Sequence, residues 1–197
     1  MLSFVGGSAV TYIDTGGEGA AEELYWALRG FVTPAASAGE GLVFLCIGSD
    51  RATGDCLGPI TGHKLASAAA SRGGETLAGR GFAVYGTLES PVHAKNIREA
   101  LDGIRSRHGN PFIIAVDACL GRAERIGFLT VGSGAVVPGA GLNKRLPAVG
   151  DVFITGIVNC FSGVVDFAAL QNTRLGLVMK MADVICEGIM RAVAGDS

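Results

Sequence analysis

The chain has 197 residues, 49% of them apolar and 17% charged, with 16 Lys and Arg set against 18 Asp and Glu for a net charge of -2. Such a balance, without a basic stripe, argues against nucleic acid as the main partner. Low charge and 31 glycines suit a sheet covered by helices on both faces, and the length suffices for a substantial core.

Taken in order, residues 1–13 lack the basic start and long apolar stretch of a signal peptide, and the chain reads as soluble and cytoplasmic. A short amphipathic helix is expected over residues 19–31, with Ala20, Leu24, Leu28 and Phe31 on one side. A Pro/Ala/Ser/Gly linker over 33–41 follows. Residues 1–40 therefore read as an appended segment, and residues 41–197 as one α/β domain. A buried strand at 42–47 leads through a polar loop into a helix over 55–71, with Leu57, Ile60 and Leu65 inward. Next come a strand at 82–86, a helix over 94–108 (Ile97, Leu101 and Ile104 at helical spacing) and a strand at 112–116. A further strand at 126–131 precedes a glycine-rich loop over 132–150 and a strand at 152–158. The apolar run 152–170 does not read as a membrane span, because Asn159, Ser162 and Asp166 would be costly at membrane depth. A helix over 173–193 closes the chain. Strands alternating with helices imply a mostly parallel, twisted sheet with right-handed crossovers.

The loop after the first long strand, residues 48–59, carries the strongest chemical signal. It holds Asp50 and Asp55 where a parallel strand ends, and ligands collect at that edge of α/β sheets. Its glycines do not make G-x-G-x-x-G. Gly48 and Gly54 are one residue too far apart for a P-loop, and Asp55 stands where the phosphate-binding Lys belongs. Two acids repel a phosphate and ask for a metal, a water or a cationic group. The alternative is that Asp55 simply N-caps the following helix.

The run 111–121 is a second buried strand, ending at Asp117. In a flavodoxin-like order the first and third strands are neighbours, about 4.8 Å apart. Asp55 or Asp50 would then face Asp117 across one cleft. Two carboxylates in one cleft hinder each other's ionisation and form an acid/base pair or half a metal site. His93, in the loop after the second strand, is placed to join Asp55 and Asp117 as a metal ligand, to relay a proton, or merely to start a helix. The loop 138–145 offers Asn143 and Lys144 for positioning a substrate or an oxyanion. The five cysteines show no C-x-x-C spacing and read as core residues of a reducing compartment. Cys56 with His93 or His108 is a weaker, thiol-based alternative.

The segment Thr53-Gly54-Asp55-Cys56-Leu57-Gly58-Pro59 resembles the active-site loop of the spore germination protease. Ile114-Ala115-Val116-Asp117-Ala118 is similar to that enzyme's second catalytic Asp motif. Pro138-Gly139-Ala140-Gly141-Leu142-Asn143-Lys144-Arg145 resembles its P-G-x-G-x-x-N-K-R segment, one residue shorter. Ile154-Thr155-Gly156-Ile157 followed by Val164-Val165-Asp166 is similar to its next strand and helix start. Together these span residues 42–170, and on them the chain is identified as a member of the YyaC family of small, spore-protease-like sporulation proteins. A more distant likeness joins the Gly48 loop and the two acids to hydrogenase maturation endopeptidases.

The resemblance implies a three-layer α/β/α, phosphorylase/hydrolase-like fold and an endopeptidase site with Asp55 and Asp117 as its carboxylates. It places the protein in the cytoplasm of a sporulating cell or spore, with a protein or peptide as partner and no membrane or nucleic acid. In the maturation endopeptidases the corresponding acids and a His bind the substrate protein's metal, which makes Asp55, Asp117 and His93 the metal candidates here. The residues require no cofactor, admit a divalent metal, and are compatible with a homo-oligomer. The chain is much shorter than the germination protease and shows nothing like its removable propeptide. Two alternatives stand beside the peptidase: a non-catalytic peptide- or metal-binding protein, and a small-substrate hydrolase on the same fold.

Overall fold

The computed structural model describes residues 4–5, 10–38, 41–71, 81–138, 146–161 and 166–194. Its centre is a six-stranded sheet built from β2 (Thr11–Asp14), β3 (Leu42–Cys46), β4 (Phe82–Tyr85), β5 (Phe112–Gly121), β6 (Phe128–Ser133) and β8 (Val152–Cys160). The spatial order is β2-β6-β8-β5-β3-β4. β4, β3, β5 and β8 run parallel, β6 is antiparallel to β8, and β2 is antiparallel to β6. β1 (Phe4–Val5) and β7 (Ala135–Val136) form a separate two-stranded ribbon.

Alternation along the strands divides the core into two layers. Phe44, Cys46, Ile114, Val116 and Ile154 face helices α1 (Ala20–Ser37), α2 (Leu57–Ser71) and α5 (Leu175–Ala194). Val43, Leu45, Ala115 and Phe153 face α3 (Ile97–His108) through Ile97, Leu101 and Ile104. The fold is therefore α/β with helices on both sheet faces. Chain order reverses at β3: α2 leaves over one face, and α3 returns over the other to β5. That places a switch point between the carboxyl ends of β3 and β5, where open α/β sheets bind ligands.

Four boundaries differ from the sequence reading. Within the segment read as appended, β2 and α1 belong to the main fold. β2 extends the main sheet through Ile13, and Leu24, Leu28 and Val32 of α1 are core residues. Helix α1 lies so close to α5 that a Cβ on Gly188 would sit 2.7 Å from Leu24. The expected linker is largely helical too, because Pro34 falls in the last turn of α1, where Ala38 N–H still bonds its carbonyl. β5 does not stop at Asp117 but runs to Gly121, since β8 continues to offer it pairing groups. Part of the expected 132–150 loop is ordered by β7 and a bridge between Val136 and Val149. Among the described residues, no helix is long and apolar enough to cross a membrane.

Candidate active site

Beyond Cys46 the chain is gripped from both sides. Ile47 N–H donates to the Val116 carbonyl at 2.7 Å, and Gly48 N–H donates to the Val92 carbonyl at 2.8 Å. Gly48 adopts φ +147°, and a Cβ on it would lie 2.0 Å from the Asp55 carbonyl oxygen. A glycine is needed there both for conformation and for space. The loop thus folds back on itself, with Ser49 N–H closing onto the Asp55 carbonyl at 3.1 Å. Asp55 lies inside a 3-10 turn, Thr53–Cys56, that runs directly into α2. Gly58 allows this junction to sit against the strand end, since a Cβ there would come 2.0 Å from the Ile47 carbonyl oxygen. Asp55 thus lies within the turn, whose own N-cap position is Ala52.

Asp117 reaches the same place from β5. Val116 pairs with Cys46, the last residue of β3, and Asp117 is the next residue along. Its side chain, on the α3 face of the sheet, therefore opens at the switch point. Asp117 is 5% exposed, and its Oδ1 accepts the Ala118 N–H at 2.9 Å. Its neighbour on β8 is the fully buried Thr155, hydrogen-bonded to Thr130 of β6. The Cys119 thiol completes this polar row by donating to Thr155 Oγ1 at 3.8 Å.

The two carboxyls are electrostatically different. Burial, and then the charge of Asp55, pushes Asp117 well above the usual carboxylate range. Burial raises Asp55 to about 6, with a Ser49 backbone hydrogen bond and the charge of His93 pulling the other way. Both acids line a cavity of about 300 Å³ together with Gly48, Ser49, His93 and Phe167. Arg51 and Lys95, both exposed, stand at its edge.

His93 is half-buried in the turn before α3. Its backbone N–H donates to Asn96 Oδ1 at 2.8 Å, and Asn96 Nδ2 donates to the Pro91 carbonyl at 3.0 Å, which locks the turn. The bridge between Ile47 and Val92 carries this turn against the Gly48 loop.

Of the candidates from the sequence, Asp55, Asp117 and His93 are brought together. Asp50 is not: it is exposed on the outer side of the loop and does not line the cavity. Asn143 and Lys144 lie outside the described residues. Among the described residues no three His, Cys, Asp or Glu side chains converge as a metal site, so Asp55, Asp117 and His93 share the cleft without forming a three-ligand set. Burial, Asp50 and Asp55 all push the Cys56 thiol up, and it donates to the Ser49 carbonyl at 3.6 Å. His108 is engaged elsewhere, with the Tyr85 hydroxyl at 2.9 Å. The thiol alternative therefore loses both its nucleophile and one of its bases.

Arg51, Lys95 and Phe167 are among the cavity residues that the sequence reading passed over. Arg51 and Lys95 had a signal, since each lies within a loop already singled out. Phe167 had none, because it comes from α4 (Asp166–Gln171), far along the chain.

Residues 13–188 match the model of a family described as a protein of unknown function, DUF1256. The chain belongs to the DUF1256 family. The matched span includes α1, in keeping with the packing of that helix into the core. The uncharacterized protein YyaC of Bacillus subtilis (strain 168) is 50% identical over 153 residues, covering 78% of this chain and 70% of YyaC. The membership expected from the loop around Asp55 and the strand of Asp117 is met.

Proposed function

We propose that this DUF1256 protein is an aspartate-dependent endopeptidase acting on a protein substrate of sporulation. The observation that carries the reading is the shared cavity at the β3/β5 switch point, holding one buried carboxyl pushed well above its usual range and a second raised to about 6. That asymmetry assigns the shared proton to Asp117 and the charge to Asp55, and the pair titrates as a unit.

In this mechanism the Asp55 carboxylate takes a proton from water as its oxygen attacks the scissile carbonyl carbon. The Asp117 carboxyl donates its proton to the carbonyl oxygen, giving a gem-diol. One hydroxyl then returns a proton to Asp117 as the C–N bond breaks, and the departing nitrogen takes the proton held by Asp55. Both carboxyls end as they began. No cofactor enters these steps.

The test is incubation of purified wild type and Asp117→Asn with small acid-soluble spore proteins, read by intact mass. Discrete fragments from wild type alone are expected. Intact substrate in both reactions, with both proteins folded, would move the reading to a non-catalytic peptide-binding role.

A further inference from the structure

Much of the backbone around the cavity uses its N–H groups internally. Gly48 donates to Val92, Ser49 to Asp55, Asp55 to Ala52, and Arg51 to the Ser49 hydroxyl. His93 donates to Asn96, and Ala118 to the Asp117 carboxylate. Amide hydrolysis builds negative charge on the carbonyl oxygen, and enzymes meet that charge with preorganised donors. These amides are already committed, which favours a side chain as the donor beside Asp117.

Among the described residues, three side chains with N–H groups line the cavity: Arg51, Lys95 and His93. Arg51 and Lys95 are exposed, with long side chains that water solvates. His93 is half-buried, on a turn held by the Asn96 clasp. Its Nδ1 is buried and has no hydrogen-bond partner. A ring proton on Nδ1 would be a buried donor with no acceptor, which is costly. The tautomer with the proton on Nε2 avoids that cost, on a ring that lines the cavity with both acids.

We infer that His93 Nε2–H donates a hydrogen bond to the scissile carbonyl oxygen as negative charge builds on it, alongside the Asp117 hydroxyl that protonates it. The inference rests on the peptidase reading and adds a catalytic residue to it. Asn96 is the positioning residue that keeps the imidazole in the wall.

The experiment measures cleavage of the spore-protein sequence that wild type cuts, with His93→Ala and His93→Gln. Loss of one oxyanion donor costs about 10²- to 10³-fold in kcat, so His93→Ala is expected to fall by that factor with KM nearly unchanged. His93→Gln carries an amide N–H close to the Nε2 position and is expected to recover roughly tenfold or more of the loss. A peptidyl difluoromethyl ketone of the same sequence, hydrated to a gem-diol, should lose affinity for His93→Ala in parallel with kcat/KM. A purely structural role would weaken substrate and gem-diol mimic alike and would give no recovery with Gln. Wild-type turnover with His93→Ala within about threefold in kcat overturns the inference and leaves the peptidase reading standing. Absence of wild-type cleavage overturns both.

Discussion

Gly48 and Asp55 meet backbone to backbone, with room for no atom between the Gly48 Cα and the Asp55 carbonyl oxygen beyond hydrogen: a Cβ would lie 2.0 Å away. The contact joins the end of β3 to the turn that presents the Asp55 carboxyl. Gly48→Ala is expected to cost roughly 1–3 kcal/mol through backbone strain alone, to displace Asp55, and to abolish cleavage. Gly103→Ala is the control. That position is a helix interior with nothing within 4 Å of the new Cβ, so a gain of about 0.5–1 kcal/mol is expected. Urea unfolding midpoints of the two variants should move in opposite directions.

Raised carboxyls make the site a source of instability at neutral pH. A folded-state value above the unfolded one, about 3.9 for Asp, means that the folded protein binds more protons over the interval between the two. The group's contribution is full below the unfolded value and is lost as pH rises through the folded value. For Asp55, raised from 3.8 to about 6 mainly by burial, the loss is about 3 kcal/mol once pH exceeds 7. Asp55→Asn should therefore raise Tm at pH 8 by more than at pH 4, with the difference growing between pH 4 and 7. Asp117→Asn should show the same sign and extend to higher pH. An equal Tm change at pH 4 and pH 8 would contradict the burial of these charges.

The same asymmetry sets the pH dependence of cleavage. The attacking water needs Asp55 ionised, so kcat/KM should climb with pH through about 6. The alkaline limb follows the loss of the Asp117 proton. Cys56→Ala should leave turnover within a few-fold of wild type, because burial and two neighbouring acids keep that thiol from ionising. Inactivation of wild type by iodoacetamide at pH 7 that Cys56→Ala escapes would reopen the thiol alternative.

Asn159 fastens the wall that carries Phe167. Its Nδ2 donates to the Ala169 carbonyl of α4 at 2.9 Å, and its Oδ1 accepts the Cys160 N–H at 2.8 Å. Gly54, in the Asp55 turn, packs beneath this wall, where a Cβ would come 2.8 Å from Thr173 Oγ1. Asn159→Ala should cost about 1–3 kcal/mol by removing the acceptor of the Cys160 N–H, while the Ala169 carbonyl keeps the Thr173 hydroxyl at 3.0 Å. It should also raise KM more than it lowers kcat, because the reacting carboxyls lie on β5 and the turn rather than on α4. A selective fall in kcat would show that α4 sets the position of Asp55 directly.

Local chemistry made much of the architecture readable. The apolar runs at β3, β5 and β8 admit little but buried strands, and Leu57, Ile60 and Leu65 mark the inner side of α2. Both acids also stood out, because a charge at the end of a buried strand demands an explanation. Strand ends, by contrast, belong to the neighbour: β5 outlasts Asp117 because β8 keeps pairing with it as far as Cys160. Nor does local pattern record that Leu24 presses against Gly188, far along the chain, which is what draws α1 into the core. Asp50 and Asp55 are equivalent in composition and five positions apart. Only the closure of Ser49 N–H onto the Asp55 carbonyl, in the space left by Gly48, turns one toward Asp117 and leaves the other in solvent. By itself the sequence determined the family, the parallel strands and the acids at their edge. The tertiary structure decided which acids face each other, how far burial separates their protonation, and that His93 shares their cavity, because desolvation and cross-chain contact arise only when distant segments pack.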